Sequence, residues 1–226
     1  MKKALVVLSG GQDSATCMAW AAMNFDEVHA ISFNYNQRHS KELEAAKKIA
    51  AMFGASHEVL DMPVLMGNKA SALTDASLAV NDADKVTGLP KSFVPGRNLL
   101  FLNAAASVAI TKGIFDLVTG VCQTDYSGYP DCRRKTIDAV EHSVYLGNQE
   151  LCDKQGSGHF HIHTPLMYLT KAETVSLAAR LPKWLEAVAH SWTCYEGGEV
   201  PCGVCGACAL RIKGFAEAGI EDPALS

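Results

Sequence analysis

The chain is most constrained by the join at residues 4–14, where Ala4-Leu5-Val6-Val7-Leu8 runs directly into Ser9-Gly10-Gly11-Gln12-Asp13-Ser14. A continuous apolar run rich in β-branched residues predicts a strand covered on both faces, as in the middle of a parallel sheet. Two glycines let the backbone turn sharply and approach a ligand closely. The helical sequence Ala15-Thr16-Cys17-Met18-Ala19-Trp20 follows at once. A helix starting there aims free N–H groups and the positive end of its dipole at an anion. Ser9 and Ser14 add hydroxyl donors, while Asp13 could orient the loop or hold a metal ion. The segment reads as a pyrophosphate site. It has neither the Gly-Lys-Ser/Thr ending of a Walker loop nor the Gly-x-Gly-x-x-Gly of dinucleotide folds.

Strands and helices alternate along the remaining sequence. Val28–Phe33 predicts a second strand, Ser40–Phe53 a helix closed by Gly54, and His57–Leu60 a short third strand. Residues 61–97 contain Pro63, Pro90 and Pro95 without clean periodicity, which predicts a long excursion over the sheet edge. A helix over Asn98–Thr111, a strand over Phe115–Val121, a helix over Arg133–Leu146 and a strand over His161–Thr164 follow. Thr170 and Glu173 have capping-box spacing and open a helix that runs to about Arg180. This order predicts an α/β fold with a doubly wound parallel sheet. Ligands in such sheets bind at the carboxyl ends of the strands. The loops after Leu8, Phe33, Val121 and Thr164 should therefore converge on one crevice.

A chain of 226 residues supports one sizeable core and a small appendage. Its net charge of −4, with no basic block beyond Arg133-Arg134-Lys135, favours a small-molecule substrate over a nucleic acid held by its phosphates. No apolar stretch approaches a membrane span, and the short N-terminal apolar run lacks the form of a signal peptide, so a cytoplasmic location is expected. In that compartment eight cysteines point to metal or catalysis rather than disulfides. Cys194, Cys202, Cys205 and Cys208 crowd together with glycines between them, a donor set suited to tetrahedral zinc in a closed structural site. An iron–sulfur cluster is the rival reading. The chain divides at this point into a nucleotide-binding α/β domain over 1–185 and a zinc-binding helical and loop element over 186–226 packed on it. His159, His161 and His163 share one strand face without an evident Asp or Cys partner, which predicts a solvated or packed face.

The Ser-Gly-Gly-Gln-Asp-Ser string after a hydrophobic strand resembles the PP-loop of the ATP pyrophosphatases. Phe93-Val94-Pro95-Gly96-Arg97-Asn98, the string from Gly120 to Arg133, Thr164-Pro165-Leu166, Ser191-Trp192-Thr193-Cys194 and the cysteine cluster narrow the likeness. From the first strand to about Phe215 the chain resembles the 7-cyano-7-deazaguanine synthase family of the queuosine precursor pathway. The resemblance implies an adenine nucleotide alpha-hydrolase-like PP-loop fold and a homodimer. It implies an ATP-dependent carbon–nitrogen ligase that takes 7-carboxy-7-deazaguanine and ammonia to the 7-cyano product. Adenylated acid and amide intermediates, AMP and pyrophosphate release, and Mg2+ and Zn2+ belong to that picture, with no direct nucleic-acid or membrane partner. An amide-forming synthetase and a tRNA-thiolating PP-loop enzyme are the alternatives.

Carried onto this sequence, the resemblance implies a nucleotide site made of Leu8, Ser9, Gly10, Gly11, Gln12, Asp13, Ser14, Ala15, Thr16, Cys17, Met18, Arg97 and Gly120. Ser9, Asp13, Ser14, Arg97 and Lys171 would act in catalysis. Arg97 would grip a phosphate or carboxylate in a bidentate fork. For Lys171 a phosphate contact and a solvated position stay equally open. Asp125, Tyr129, Asp131 and Arg133 would hold the deazaguanine, and the four clustered cysteines the zinc.

Overall fold

In the computed structural model the N-terminal apolar run forms β1 (Lys3–Val7), which leads into α1 (Gln12–Asn24), β2 (Glu27–Asn34), α2 (Lys41–Met52) and β3 (Ser56–Asp61). Then come α3 (Pro63–Met66), α4 (Arg97–Thr111), β4 (Asp116–Val118), a 3₁₀ turn (Pro130–Cys132), α5 (Arg134–Gly147), α6 (Gln149–Gln155) and β5 (His161–His163). The chain continues with α7 (Lys171–Ala178), α8 (Trp184–Ala189) and α9 (Gly206–Ala218). The structure describes the whole chain except residues 38, 67–70, 76, 79–83, 125–127, 157 and 226.

The strands form one sheet in the order β3-β2-β1-β4-β5, with every adjacent pair parallel. This is the doubly wound α/β sheet that the alternating elements predict. Strand order reverses between β1 and β4, so the crevice beyond their carboxyl ends lies at the topological switch point.

Burial along β1 follows the two-residue period of a strand. Leu5 packs with Leu102, Ala105, Ile110 and Ile137 beneath α4 and α5. Ala4, Val6 and Leu8 pack on the opposite face with Ala15, Met18, Ala46 and Ile49 from α1 and α2. Both faces are covered, and burying each Leu or Ile contributes about 1.5–3 kcal/mol. The continuous apolar run, without polar alternation, reflects that double burial.

The C-terminal helices are tied to α1. Trp184 stacks on Phe215 with ring centroids 5.9 Å apart, and its indole N–H donates to Thr16 Oγ1 at 2.9 Å. Buried Arg211 donates to both carboxylate oxygens of buried Asp222 at 2.6 and 2.8 Å. Its remaining N–H groups reach Ser191 Oγ, Thr193 Oγ1 and the Val188 carbonyl.

Several elements depart from the sequence expectations. The strand expected over Phe115–Val121 is only Asp116–Val118, because Gly120 and the residues beyond it leave the sheet for the crevice. β3 extends to Asp61 because β2 pairs with it along its whole length. α3, within the expected excursion, and α6 and α8 lack the long amphipathic pattern that reveals a helix. The three histidines do share a face, but His163 has a partner: its Nε2 lies 2.7 Å from Asp116 Oδ1 on the neighbouring strand. That partner was hidden because the two residues are 47 positions apart.

Removing one member of a buried ion pair leaves the other charge uncompensated. Asp222→Ala should therefore lower unfolding stability by about 3–5 kcal/mol. A urea denaturation midpoint well below that of the unmutated chain, at unchanged slope, is the expected reading.

Candidate functional site

The loop between β1 and α1 is shaped by its own hydroxyls. Ser14 Oγ accepts from the Gly10 N–H at 3.1 Å and donates to the Gly11 carbonyl at 2.9 Å. Ser9 Oγ lies 3.1 Å from Ser14 Oγ and accepts from the Gly11 N–H at 3.3 Å. Gly10 takes a φ of +91°, and a Cβ there would overlap the Glu42 carbonyl in the first turn of α2. No side chain caps α1, so N–H groups of its first turn stay available to an anion.

A cavity of about 420 Å³ opens over this loop. Leu8, Ser9, Gly11, Gln12, Asp13 and Ser14 line it from β1 and α1. Gly120 lines it after β4, where a Cβ would sit 3.1 Å from the Asp13 backbone. Arg97, Tyr129 and Lys171 also line it. Lys171 is neither solvated nor free. Its Nζ donates to both Asp13 carboxylate oxygens, at 3.0 and 2.8 Å.

Arg97 opens α4, and its Nε is buried without a hydrogen-bond partner. Burial opposes its charge, but Tyr35, Tyr129, Tyr195 and Asp131 hold the guanidinium pKa above its ordinary value. Gln12, only 3% exposed, likewise has a buried Nε2 without a partner. Two orphaned donors in one cavity fit an anionic ligand.

Other predicted residues stand elsewhere. Ala15, Cys17 and Met18 face the core under the sheet, and Thr16 is engaged with Trp184. The reason is helical geometry: past its first turn, α1 presents these residues to the core rather than to the loop. Asp131 is buried, and its Oδ2 accepts the Asn98 N–H at 3.1 Å, fixing the start of α4. Arg133 is exposed at the head of α5, outside the cavity lining. Asp125 lies outside the described residues. Tyr129 Oη bonds Ser92 Oγ at 2.7 Å.

Sequence reasoning missed Tyr35, Glu42, Trp192 and Tyr195, all of which line the cavity. A signal existed for the first two, since they follow Phe33, whose loop was expected in the crevice. For Trp192 and Tyr195 the signal was their position beside Cys194. Burial raises the Tyr35 and Tyr195 hydroxyls above the usual phenol range, so both stay neutral, and the Tyr35 oxygen accepts from Arg97. Burial also raises the Glu42 carboxyl to about 7, although Arg97 pulls it down.

The ligand atoms of Cys194, Cys202, Cys205 and Cys208 all lie within 4.8 Å of one another. A tetrahedral zinc with Zn–S near 2.3 Å needs sulfurs roughly 3.8 Å apart, and the Cys202 and Cys208 sulfurs are 4.0 Å apart. Amide N–H groups point at the sulfurs, from Cys202 to Cys194 Sγ and from Cys205 to Cys202 Sγ, each at 3.3 Å. Although burial raises the Cys202 thiol, the Val204 and Cys205 amides bring it down to about 7. The set therefore fits one metal ion. It is tied to the cavity through the Cys194 carbonyl, which lies 2.9 Å from both His39 Nε2 and Trp192 Nε1.

Comparison with known proteins adds relatives across the whole chain. The family model described as queuosine biosynthesis protein QueC matches residues 3–219. A 7-cyano-7-deazaguanine synthase of Chromobacterium violaceum is 53% identical over 228 residues, covering 98% of this chain and 92% of its own. A synthase of the same description from Bacillus subtilis is 45% identical, covering 96% of this chain and 94% of its own. Among solved structures, a predicted subunit of tRNA methyltransferase from Methanocaldococcus jannaschii matches with TM-score 0.50 and 18% identity, covering 79% of this chain and 75% of that one. At that identity the likeness bears on the fold alone.

The cysteine geometry predicts one metal ion per chain by elemental analysis. Cys205→Ala should lose that ion and lower the yield of folded protein, because a buried thiolate set without its cation is unstable.

Proposed function

Because the chain belongs to the family of queuosine biosynthesis protein QueC, we propose that its cavity converts 7-carboxy-7-deazaguanine, ammonia and ATP into 7-cyano-7-deazaguanine. It is an ATP-using, ligase-type enzyme of that family. One observation carries the assignment of roles. The hydroxyl-lined loop, the Asp13–Lys171 pair and the unsatisfied Arg97 Nε all line one cavity at the switch point of the sheet.

The substrate carboxylate attacks the α-phosphate of ATP, and pyrophosphate leaves into the open end of α1. Ser9, Ser14 and the first-turn N–H groups stabilise its charge in place, at no reorganisation cost. Lys171 adds positive charge beside the loop and fixes the Asp13 carboxylate. Asp13 would hold Mg2+, which supplies charge neutralisation on the phosphates. Arg97 orients the acid or the α-phosphate through its unused N–H. Ammonia displaces AMP to give the amide, and a second ATP activates the amide oxygen before AMP leaves the nitrile. Tyr129 serves the deazaguanine from the cavity wall, Asp125 is assigned to the same substrate by family likeness, and buried Asp131 holds the start of α4.

We assign zinc to the four cysteines, in a structural role. Residues 1–185 are read as the nucleotide-binding domain and 186–226 as the element whose fold the zinc completes. Family likeness supports a homodimer in the cytoplasm. Among the described residues no helix is long and apolar enough to cross a membrane.

Incubation with 7-carboxy-7-deazaguanine, MgATP and ammonia, followed by mass spectrometry of the base, tests this reading. The nitrile with AMP and pyrophosphate is expected. Amide alone would select the shorter reaction, and ADP would overturn the assignment. Asp13→Ala should abolish AMP release with metal content unchanged. Lys171→Met should cut turnover about 10²–10³-fold, the range for removing one preorganised charge-stabilising group.

A further inference from the structure

The proposed reaction strips all three protons from the nitrogen of ammonia, so the cavity needs a base. When ammonia attacks the acyl adenylate, a C–N bond forms and the C–O bond to AMP breaks, its electron pair leaving on the phosphate. The nitrogen then sheds one proton. In the second stage the amide oxygen bonds to the α-phosphorus of ATP while pyrophosphate departs with the P–O pair. The C–O bond to AMP then breaks as two N–H protons are lost and their electron pairs complete the C≡N bond. A positioned general base typically contributes 10²–10⁴-fold to such steps.

Most acid–base groups around the cavity are already engaged. Asp13 is held by Lys171, Asp131 by the Asn98 N–H, and Asp222 by Arg211. His39 Nε2 lies on the Cys194 carbonyl. The Cys122 thiol donates to the Leu169 carbonyl, and the Cys132 sulfur accepts from Asn98. Tyr35 and Tyr195 are held neutral by burial. Glu42 differs from all of these. It lines the cavity, and no hydrogen bond reaches its carboxylate among the described residues. Its position is fixed because its own carbonyl abuts the α-carbon of Gly10, which anchors it beside the pyrophosphate loop.

Resting on the synthase reading, we propose that Glu42 is the catalytic base that accepts the nitrogen protons in amide and nitrile formation. Its half-buried site suits that task. Burial raises the carboxyl to about 7, so near neutral pH it takes a proton and returns it to solvent. The groups that bear on it are Arg97 from α4, Tyr35 after β2 and Tyr195 beside the cysteines. Asp13 and Lys171 share the cavity as a paired charge. None of these replaces Glu42 as a proton acceptor.

The test separates adenylation from amination. Acid-dependent exchange of labelled pyrophosphate into ATP reads the first, and amide formation from ammonia reads the second. Glu42→Gln should keep exchange within a few-fold of the unmutated enzyme while amide formation falls about 10²–10⁴-fold. Hydroxylamine, whose nitrogen once attached is a stronger acid than that of ammonia and can shed its proton to water, should still give hydroxamate with Glu42→Gln, and Glu42→Asp should recover part of the ammonia rate. For the unmutated enzyme, amide formation plotted against free ammonia should rise with pH through about 7, as the carboxyl ionises. Glu42→Gln should lose that rise. Equal loss of exchange and amination would overturn the proposal in favour of a structural role, as would unchanged amination. Absence of acid-dependent exchange in the unmutated enzyme would overturn the synthase reading itself.

Discussion

Three parts of the chain meet at Gly10. Its carbonyl accepts the Trp192 N–H at 2.9 Å, its N–H is held by Ser14 Oγ, and its α-carbon lies against the Glu42 carbonyl. A residue with a larger side chain would push α2 from the loop, and the left-handed φ would be strained as well. The hydroxyl-lined loop, the helix that carries Glu42 and the segment that carries the cysteines are thus located by one peptide unit. The rest of the site depends on that contact for its dimensions.

Charge is distributed in the cavity by burial rather than by number. The chain as a whole is acidic, yet Arg97 and Lys171 line the same small volume as the uncapped start of α1. Lys171 is balanced by Asp13, whereas Arg97 has no ion pair among the described residues and is surrounded by phenols. Tyr35 hydrogen-bonds the guanidinium, Tyr129 and Tyr195 surround it, and its buried Nε stays without a partner. That arrangement leaves affinity for an anion without the competition that a carboxylate partner would impose.

What was legible in the sequence was what local physics decides. The apolar run of β1, the two glycines and the Thr170–Glu173 capping box all appear as read, the last with both reciprocal hydrogen bonds formed. Four cysteines within fifteen residues announced a metal-sized cluster, and the sulfurs do converge. Long-range pairs were not legible. Asp13 and Lys171 are 158 positions apart, and no local pattern says that one holds the other. Asp131 reads as a ligand group in a polar loop, yet it caps α4 across 33 positions. Glu42 looks like one more charge on an amphipathic helix until the sheet brings its first turn against the loop.

The bond from Trp192 to Gly10 also orders events in time. The loop between β1 and α1 leaves the ribosome well before Lys171, Trp192 and Tyr195, which bond to it or line the same cavity. Until Trp192 and Tyr195 are made, the nascent chain carries the loop without the wall that closes it. A product cut short before the cysteine segment would have the loop's sequence and most of the sheet, but no enclosed cavity in which to spend ATP. Synthesis through the cysteine segment is thereby a condition for an enclosed cavity, imposed by topology rather than by any regulator.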